Sequence, residues 1–184
     1  MVQKEDRRSA EEERREAWLA ELSEFIVEAN LQTWAAGGAE VIPERQGYKE
    51  LKYERGDWRL RDSYTGYFRA PGMTTVYYKD QPAWTMAYGG AGMVEGQEHL
   101  SSETFNFLKS ALKRVSPDLP YRGPEEFDGD EWQYRFELVD GDIEDFLGVE
   151  EIYRGGTVVF TQTVIGGLVL HRNQDKSLQK PWDL

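Results

Sequence analysis

A stretch in the second half of the chain repeats the pattern of a stretch 76 residues earlier, with no gap in either. Residues 72–93 align with residues 148–169, and apolar residues match apolar residues, as at Val76 and Ile152. The identical pairs are Gly72 with Gly148, Tyr77 with Tyr153, Thr85 with Thr161, and Gly90 with Gly166. In both halves a helix-like pattern precedes a strand-like one. The repeat therefore predicts an α+β fold, an internally duplicated helix-plus-antiparallel-strands unit that forms a twisted antiparallel sheet packed by two main helices.

Two segments have the apolar spacing of amphipathic helices. Ser9 and Glu12 have the spacing of a capping box, and the first helix is predicted to run from about Ser9 to Ala36. Ser101 or Ser102 is predicted to be the N-cap of the second helix. Both helices should bury one face on the strands. The predicted core therefore contains Phe25, Ile26, Trp84, Leu108, Leu112, Phe160 and Val164.

Strand-like runs separated by turn residues follow each helix. The first half contains runs at residues 49–55, 58–64, 74–79 and 83–88, and the second half at residues 132–139, 150–154, 157–165 and 168–170. Gly155 and Gly156 form a two-residue connection typical of a tight hairpin. The glycine-rich residues 89–92 are predicted to form a turn that ends the fourth run, and residues 116–130 an irregular loop.

The length of 184 residues predicts a single domain. Within it we distinguish a charged N-terminal extension at residues 1–16, a first repeat at 17–93, a second repeat at 100–170 and a loose C-terminal tail at 173–184. The extension carries a run of charges without an apolar stripe, and such a run is usually solvated.

The composition bears on compartment and on partners. No cysteine is present, so disulfides and cysteine metal sites are excluded, and the absence of an apolar signal segment favours a cytoplasmic protein. His99 and His171 are isolated, and no cofactor motif is found, so the sequence predicts neither a metal nor a cofactor. The net charge of -12 repels nucleic acid and anionic membranes. An acidic surface of this kind is typical of a halophilic cytosol, and an ordinary acidic protein is the alternative.

The most distinctive strand run places a carboxylate among aromatic residues. Trp58, Asp62 and Tyr64 share one strand face because side chains alternate along a strand. Asp62 and Tyr64 are therefore candidate acid–base residues. The structural alternative is that Asp62 is satisfied by the backbone of the turn at residues 65–66 or by an arginine such as Arg135.

Large aromatic side chains on the strand faces are the candidate binding residues. They are Trp58, Trp84, Tyr88 and Trp132. Aromatic residues on a strand face are compatible with a core, a subunit interface or a ligand pocket.

Several motifs resemble an uncharacterised domain-of-unknown-function family whose members occur alone or fused behind an XRE-type helix-turn-helix. They are Gly-Asp-Trp at 56–58, Arg-Asp-Ser-Tyr-Thr-Gly at 61–66, Phe68, and Ala-Trp-Thr-Met-Ala-Tyr-Gly-Gly at 83–90. The resemblance extends from the first helix to Leu170 and implies a fold but no activity. The family has an F-x-G-x-E-x-V pattern, which the residues after Phe68 do not follow. Residues 146–152 follow it more closely, so the resemblance adds Glu150 as a candidate catalytic residue. The acidic composition fits a salt-adapted archaeal member.

These observations favour a non-enzymatic small-molecule-binding or protein-interaction module with a regulatory role. The alternative is a small enzyme that uses a carboxylate and tyrosine cleft formed by Asp62, Tyr64 or Glu150. For partners we expect a second copy of the chain or a regulatory protein. No nucleic acid is expected to bind through this chain alone, because it lacks a basic stripe, and no membrane is expected to bind it.

Overall fold

The structure is a computed structural model that describes residues 2–35, 37–38 and 40–184. It contains the helices α1 (Val2–Gln32) and α2 (Ser101–Leu112). The strands are β1 (Lys49–Arg55), β2 (Trp58–Tyr64), β3 (Gly72–Tyr78), β4 (Gln81–Met93), β5 (Glu126–Asp128), β6 (Trp132–Asp142), β7 (Asp145–Arg154), β8 (Thr157–Leu168), β9 (His171–Arg172) and β10 (Leu178–Gln179). Single 3₁₀ turns lie at Glu98–Leu100 and Pro181–Asp183.

Eight of the strands form one antiparallel sheet in the order β1-β2-β3-β4-β8-β7-β6-β5. Strands β1 to β4 are sequential neighbours, and so are β5 to β8, and the two sets meet where β4 pairs with β8. Strands β9 and β10 form a separate two-stranded ribbon. The fold is therefore α+β, as the sequence predicts. Among the described residues, no helix is both long enough and apolar enough to span a bilayer.

The two aligned segments of the sequence occupy corresponding hairpins. Residues 72–93 form β3 and β4, and residues 148–169 cover most of β7 and β8. The strand pairing shifts between Val76 and Tyr77 in the first hairpin and between Ile152 and Tyr153 in the second. Both hairpins also close with a two-residue turn at positive φ, with Lys79 and Asp80 in the first and Gly155 and Gly156 in the second. The predicted tight hairpin at Gly155 and Gly156 is confirmed, and duplication of the chain stays a prediction.

The hydrophobic core contains side chains of both helices together with side chains on one face of the sheet. The ring of Phe25 in α1 stacks on Trp58 of β2 at 5.5 Å, and Phe105 in α2 meets Phe160 of β8 at 6.0 Å, both between ring centroids. Strand register places Leu60, Val76 and Trp84 side by side on that same face. All seven residues predicted for the core are buried.

Four local predictions were wrong, and the first is the N-cap of α2, which is Leu100 and not Ser101 or Ser102. Helix α1 begins at Val2, not near Ser9, because residues 2–8 are mostly Gln, Lys, Glu and Arg, which favour helix without an apolar stripe. It ends at Gln32, and the predicted end, Ala36, lies outside the described residues. Residues 89–92 continue β4 through a bulge instead of forming a turn, since their glycines adopt positive φ. The predicted irregular loop contains β5, which is too short to show a strand pattern.

Candidate functional site

A cleft of about 420 Å³ opens between α2, the sheet and two loops. Helix α2 supplies Phe105, and β8 supplies Phe160. The connection between β2 and β3 supplies Tyr67, and the segment after α1 supplies Trp34. The full lining is Trp34, Lys49, Tyr64, Gly66, Tyr67, Ala70, Tyr88, Ser102, Phe105, Asn106, Leu108, Lys109, Arg122, Phe160 and Gln162.

A glycine in β3 makes room for a tyrosine at the base of this cleft. Gly72 pairs with Tyr64 on one side and with Tyr88 on the other. A Cβ atom at Gly72 would lie 2.4 Å from the Tyr88 hydroxyl oxygen, so only glycine lets the Tyr88 ring cross this strand. The hydroxyl therefore reaches Asp62 on β2.

Asp62 lies below the cleft with both carboxylate oxygens engaged. Its exposed fraction is 3%. Trp34 Nε1 donates to Oδ2 at 2.8 Å, and Thr74 Oγ1 donates to Oδ1 at 2.7 Å. The Tyr88 hydroxyl lies 3.1 Å from Oδ1 and 3.0 Å from Oδ2. Asp62 is therefore a satisfied buried acceptor.

The partners that the sequence predicted for Asp62 were wrong. Arg135 lies on the opposite face of the sheet, because its neighbour Tyr134 shares the face of the core. It pairs instead with Glu126 at 3.4 Å and Asp128 at 3.1 Å. The turn after β2 also does not reach Asp62, whose partners come from β3, β4 and the segment after α1.

Two tyrosines of the cleft, Tyr64 and Tyr88, stay protonated at physiological pH. Burial raises the pKa of Tyr88 well above its usual value, and the nearby Asp62 charge adds to this. Burial, with the charge of Glu40, raises the pKa of Tyr64 to about 12. Both phenols are therefore neutral, and Tyr88 serves as a hydrogen-bond donor to Asp62.

A second buried carboxylate, Glu150 of β7, holds an arginine against the cleft. Arg122 donates from Nε to Oε1 at 3.0 Å and from Nη2 to Oε2 at 2.8 Å. The Tyr134 hydroxyl donates to Oε1 at 2.8 Å, and Gln162 Nε2 donates to Oε2 at 2.6 Å. Glu150 has an exposed fraction of 0%, so its bidentate ion pair with Arg122 is shielded from water.

Electrostatics in this pair keep the Arg122 guanidinium charged. Burial alone would lower the pKa of the Arg122 guanidinium, but the Glu150 charge and its hydrogen bonds outweigh burial and raise that pKa. Burial and the same Glu150 charge raise the pKa of Tyr134 well above its usual value, so this phenol remains a donor. The Arg122 guanidinium also lies 5.9 Å from the Tyr88 ring centroid, which brings the Asp62 and Glu150 networks next to each other.

The structure brings four of the seven predicted site residues together. Tyr64 and Tyr88 line the cleft, and Asp62 and Glu150 lie directly behind it through Tyr88 and Arg122. The other three lie elsewhere. Trp58 and Trp84 are core residues, with Nε1 donating to Glu21 Oε1 and to the Ile143 carbonyl, and Trp132 packs on Phe107 and Arg154.

Sequence reasoning missed Arg122 as a functional residue. It lies in the segment Pro-Tyr-Arg-Gly-Pro at 120–124, where the two prolines restrict the backbone on both sides. An arginine fixed in a short rigid loop is a usable signal, because loops held by a scaffold often carry binding residues. Helix and strand periodicity could not locate Phe105, Phe160 or Gln162 at the cleft. Periodicity predicts which face of a helix or strand a residue lies on, but not which other elements contact that face.

Other polar clusters lie outside the cleft. Glu50 is buried on the opposite face of the sheet, where Arg61 Nε lies 2.6 Å and Ser63 Oγ 2.9 Å from its carboxylate. Burial would raise the Glu50 pKa, but the Arg61 and Ser63 hydrogen bonds outweigh it and lower that pKa. His171 Nε2 lies 2.7 Å from the Pro82 carbonyl. Within the part of the chain that the structure describes, no three metal-ligating side chains come together.

The fold and the cleft define an α+β domain with a single large antiparallel sheet and an aromatic pocket beside a buried arginine. Residues 62–169 match the family described as Domain of unknown function (DUF5680). Because the match covers more than half of the chain, the chain belongs to this family. The matched segment contains Asp62, Tyr88, Arg122 and Glu150. No curated protein and no solved structure matches the chain.

Proposed function

We propose that the chain is a non-enzymatic module that binds a small molecule in the aromatic cleft. The observation that carries this proposal is a cleft of about 420 Å³, a volume within the usual range for small-molecule sites, with aromatic walls. Its aromatic lining residues are Trp34, Tyr64, Tyr67, Tyr88, Phe105 and Phe160. A flat, largely apolar ligand would bury its surface between these rings.

The state of the carboxylates supports binding over catalysis. A general base must reach the proton that it removes, but Asp62 and Glu150 are almost fully buried. Each carboxylate also accepts hydrogen bonds on both of its oxygens. Among the described residues, no Asp or Glu side chain lines the cleft. The enzyme alternative would require one of these networks to open.

The position of the cleft supports a regulatory role. The loop that carries Arg122 is tied to α1, because Asn30 Nδ2 donates to the Pro120 carbonyl at 3.2 Å. In the same loop Tyr121 stacks on Phe146 at 4.2 Å between ring centroids. Binding of a ligand in the cleft would therefore affect α1, α2 and the sheet together and stabilise one arrangement of these elements. Such a response suits a sensor that acts on a second copy of the chain or on a regulatory partner, and it agrees with the resemblance to domains fused behind an XRE-type helix-turn-helix.

We also propose that the two halves of the chain descend from one duplicated unit. The matching strand-pairing shifts and the matching two-residue turns of the β3–β4 and β7–β8 hairpins support this. In this account the cleft forms between the second helix and both halves of the sheet, as the lining residues Tyr88 of β4 and Phe160 of β8 indicate.

Titration with phenylnaphthylamine, a neutral aromatic probe that fluoresces when it leaves water, tests the binding proposal. We expect saturable binding of one probe per chain. Asn106 is exposed and lines the cleft from α2, so Asn106→Trp should fill the pocket and weaken binding about tenfold or more, which corresponds to about 1.4 kcal/mol.

Ser110→Trp is the matched control, because Ser110 is an exposed residue of the same helix that does not line the cleft. It should leave the dissociation constant within about twofold of the wild type, a small free-energy difference. Absence of saturable binding, or equal effects of the two substitutions, would contradict the proposal.

A further inference from the structure

We infer that the ligand of the cleft carries an anionic hydrogen-bond acceptor, such as a carboxylate or sulfonate, and that this group binds Arg122. The inference rests on the proposed function and specifies the chemistry of the same site. It follows from three properties of the described residues, which are the charges in the lining, the hydrogen-bonding capacity that the buried networks leave unused, and the apolar walls.

The charges in the lining are of one sign. Lys49, Lys109 and Arg122 line the cleft, and no carboxylate of the described residues does so. This contrasts with the whole chain, which has a net charge of -12. Lys49 is partly offset by Glu40 at 3.6 Å, whereas Lys109 is half-buried beside Asn106 in the lining. The local charge of the cleft lining is therefore positive, so an anion would be attracted to the cleft and repelled by the acidic surface elsewhere.

The buried carboxylates are fully engaged, whereas Arg122 keeps one donor nitrogen available. Asp62 and Glu150 have donors on every carboxylate oxygen, so neither offers a good acceptor to a ligand. Arg122 uses Nε and Nη2 for Glu150, and its Nη1 has no acceptor among the residues that the structure describes. The side chain is 10% exposed and lines the cleft, so Nη1 can reach a ligand there. Arg122 Nη1 is thus a charged N–H donor of the site with unused capacity, and it requires an acceptor.

Neighbouring groups make Arg122 a fixed donor. The Glu150 carboxylate holds two of its nitrogens, so the planar guanidinium is already oriented and loses little entropy on binding. The carboxylates of Glu150 and Asp62 reduce the local positive charge, but Tyr88 lies between Asp62 and the cleft and contributes a neutral phenol. A hydrogen bond from a charged donor to a charged acceptor is stronger than one between neutral groups. Arg122 therefore favours an anionic acceptor over a neutral one.

A matched pair of probes tests this inference. Anilinonaphthalene sulfonate and phenylnaphthylamine have the same aromatic skeleton, and only the first carries an anionic sulfonate. Fluorescence titration of the wild type should give a dissociation constant about tenfold lower for the sulfonate probe. The neutral probe reports the aromatic walls alone, whereas the ratio of the two constants reports the anion site.

Two variants of the buried pair should change this ratio in different ways. Glu150→Gln keeps the guanidinium and removes its counter-charge, so the preference for the sulfonate should persist or increase. Arg122→Gln combined with Glu150→Gln removes both charges without leaving a buried carboxylate unpaired, so the ratio should fall to near one while neutral-probe binding remains. Arg135→Gln removes an arginine on the opposite face and should leave both constants unchanged. Thermal melts and circular dichroism establish that each variant is folded.

Each result bears on one of the two proposals. Binding of neither probe refutes the aromatic cleft and this inference with it. Equal binding of both probes by the wild type refutes the inference alone, and so does a double variant that keeps the sulfonate preference. If the double variant does not fold, Lys109→Gln and Glu150→Gln decide the matter. A ratio that falls with Lys109→Gln and does not fall with Glu150→Gln supports the anion site, and any other combination overturns it.

Discussion

Removing Arg122 should destabilise the protein far more than removing Arg122 and Glu150 together. In the native structure Glu150 is fully buried and accepts two hydrogen bonds from Arg122, one from Tyr134 and one from Gln162. Arg122→Gln would leave the carboxylate without its counter-charge, which costs about 3–5 kcal/mol in buried pairs. With Glu150→Gln added, no charge is buried, and the remaining loss of hydrogen bonds should cost about 1–2 kcal/mol.

Urea denaturation at one pH gives the free energy of unfolding for the wild type, both single variants and the double variant. The two substitutions should be strongly non-additive, with a coupling of at least about 2–3 kcal/mol, which is the cost of Arg122→Gln less that of the double variant, increased by the cost of Glu150→Gln alone. The m-values should stay equal if only stability changes. Arg135→Gln is the control, because its partners Glu126 and Asp128 are exposed and such pairs contribute less than about 1 kcal/mol. Additive single effects, or an Arg122→Gln cost close to that of Arg135→Gln, would refute the reasoning.

Two further predictions concern pH and salt. The pKa of Tyr64 is raised to about 12 from an unfolded value of about 10, so its contribution to stability is present below pH about 10 and is lost as the pH rises toward about 12. Urea midpoints across this range should fall less steeply for Tyr64→Phe than for the wild type, and parallel curves would show that Tyr64 contributes nothing. If the protein is adapted to a salt-rich cytosol, the midpoint of its thermal unfolding should rise with the potassium chloride concentration, because the Debye length falls from about 10 Å toward 3 Å. A flat or falling midpoint would contradict it.

The periodicity of the sequence predicts the fold class because it reports which face of each element is apolar. The helix stripe that contains Phe25 and Ile26 and the strand alternation around Trp84 both lie in the observed core. Short or irregular elements carry no such signal. Strand β5 has three residues, and the glycines at 89–92 have the composition of a turn although they continue a bulged strand.

The candidate site was predictable only in part, since its contacts join residues far apart in the chain. The alternation along β2 places Asp62 and Tyr64 on one face, which is the face of the cleft. The partners of Asp62 depend on strand order and on how Trp34 packs after α1, and neither can be derived from local pattern. Alternation along β4 places Trp84 and Tyr88 on the same face of the sheet but does not predict how deeply each side chain is buried. A tryptophan of the core and a tyrosine of the cleft therefore have the same sequence pattern.

Positions 76 residues apart show how two similar hairpins contribute differently to the site. Thr74 and Glu150 correspond in the alignment, and so do Met86 and Gln162. In the first hairpin the threonine donates to Asp62, whereas in the second the glutamate is itself the acceptor and receives a donor from Gln162. Each half therefore buries one carboxylate beside the cleft, and of these two carboxylates only Glu150 pairs with an arginine among the described residues. Asp62 accepts hydrogen bonds from neutral donors, whereas Glu150 accepts them from the cationic Arg122. The charged donor available to a ligand therefore lies on the Arg122 side of the cleft. A ligand with an anionic end and an aromatic end would bind in one orientation, with its anionic end at Arg122.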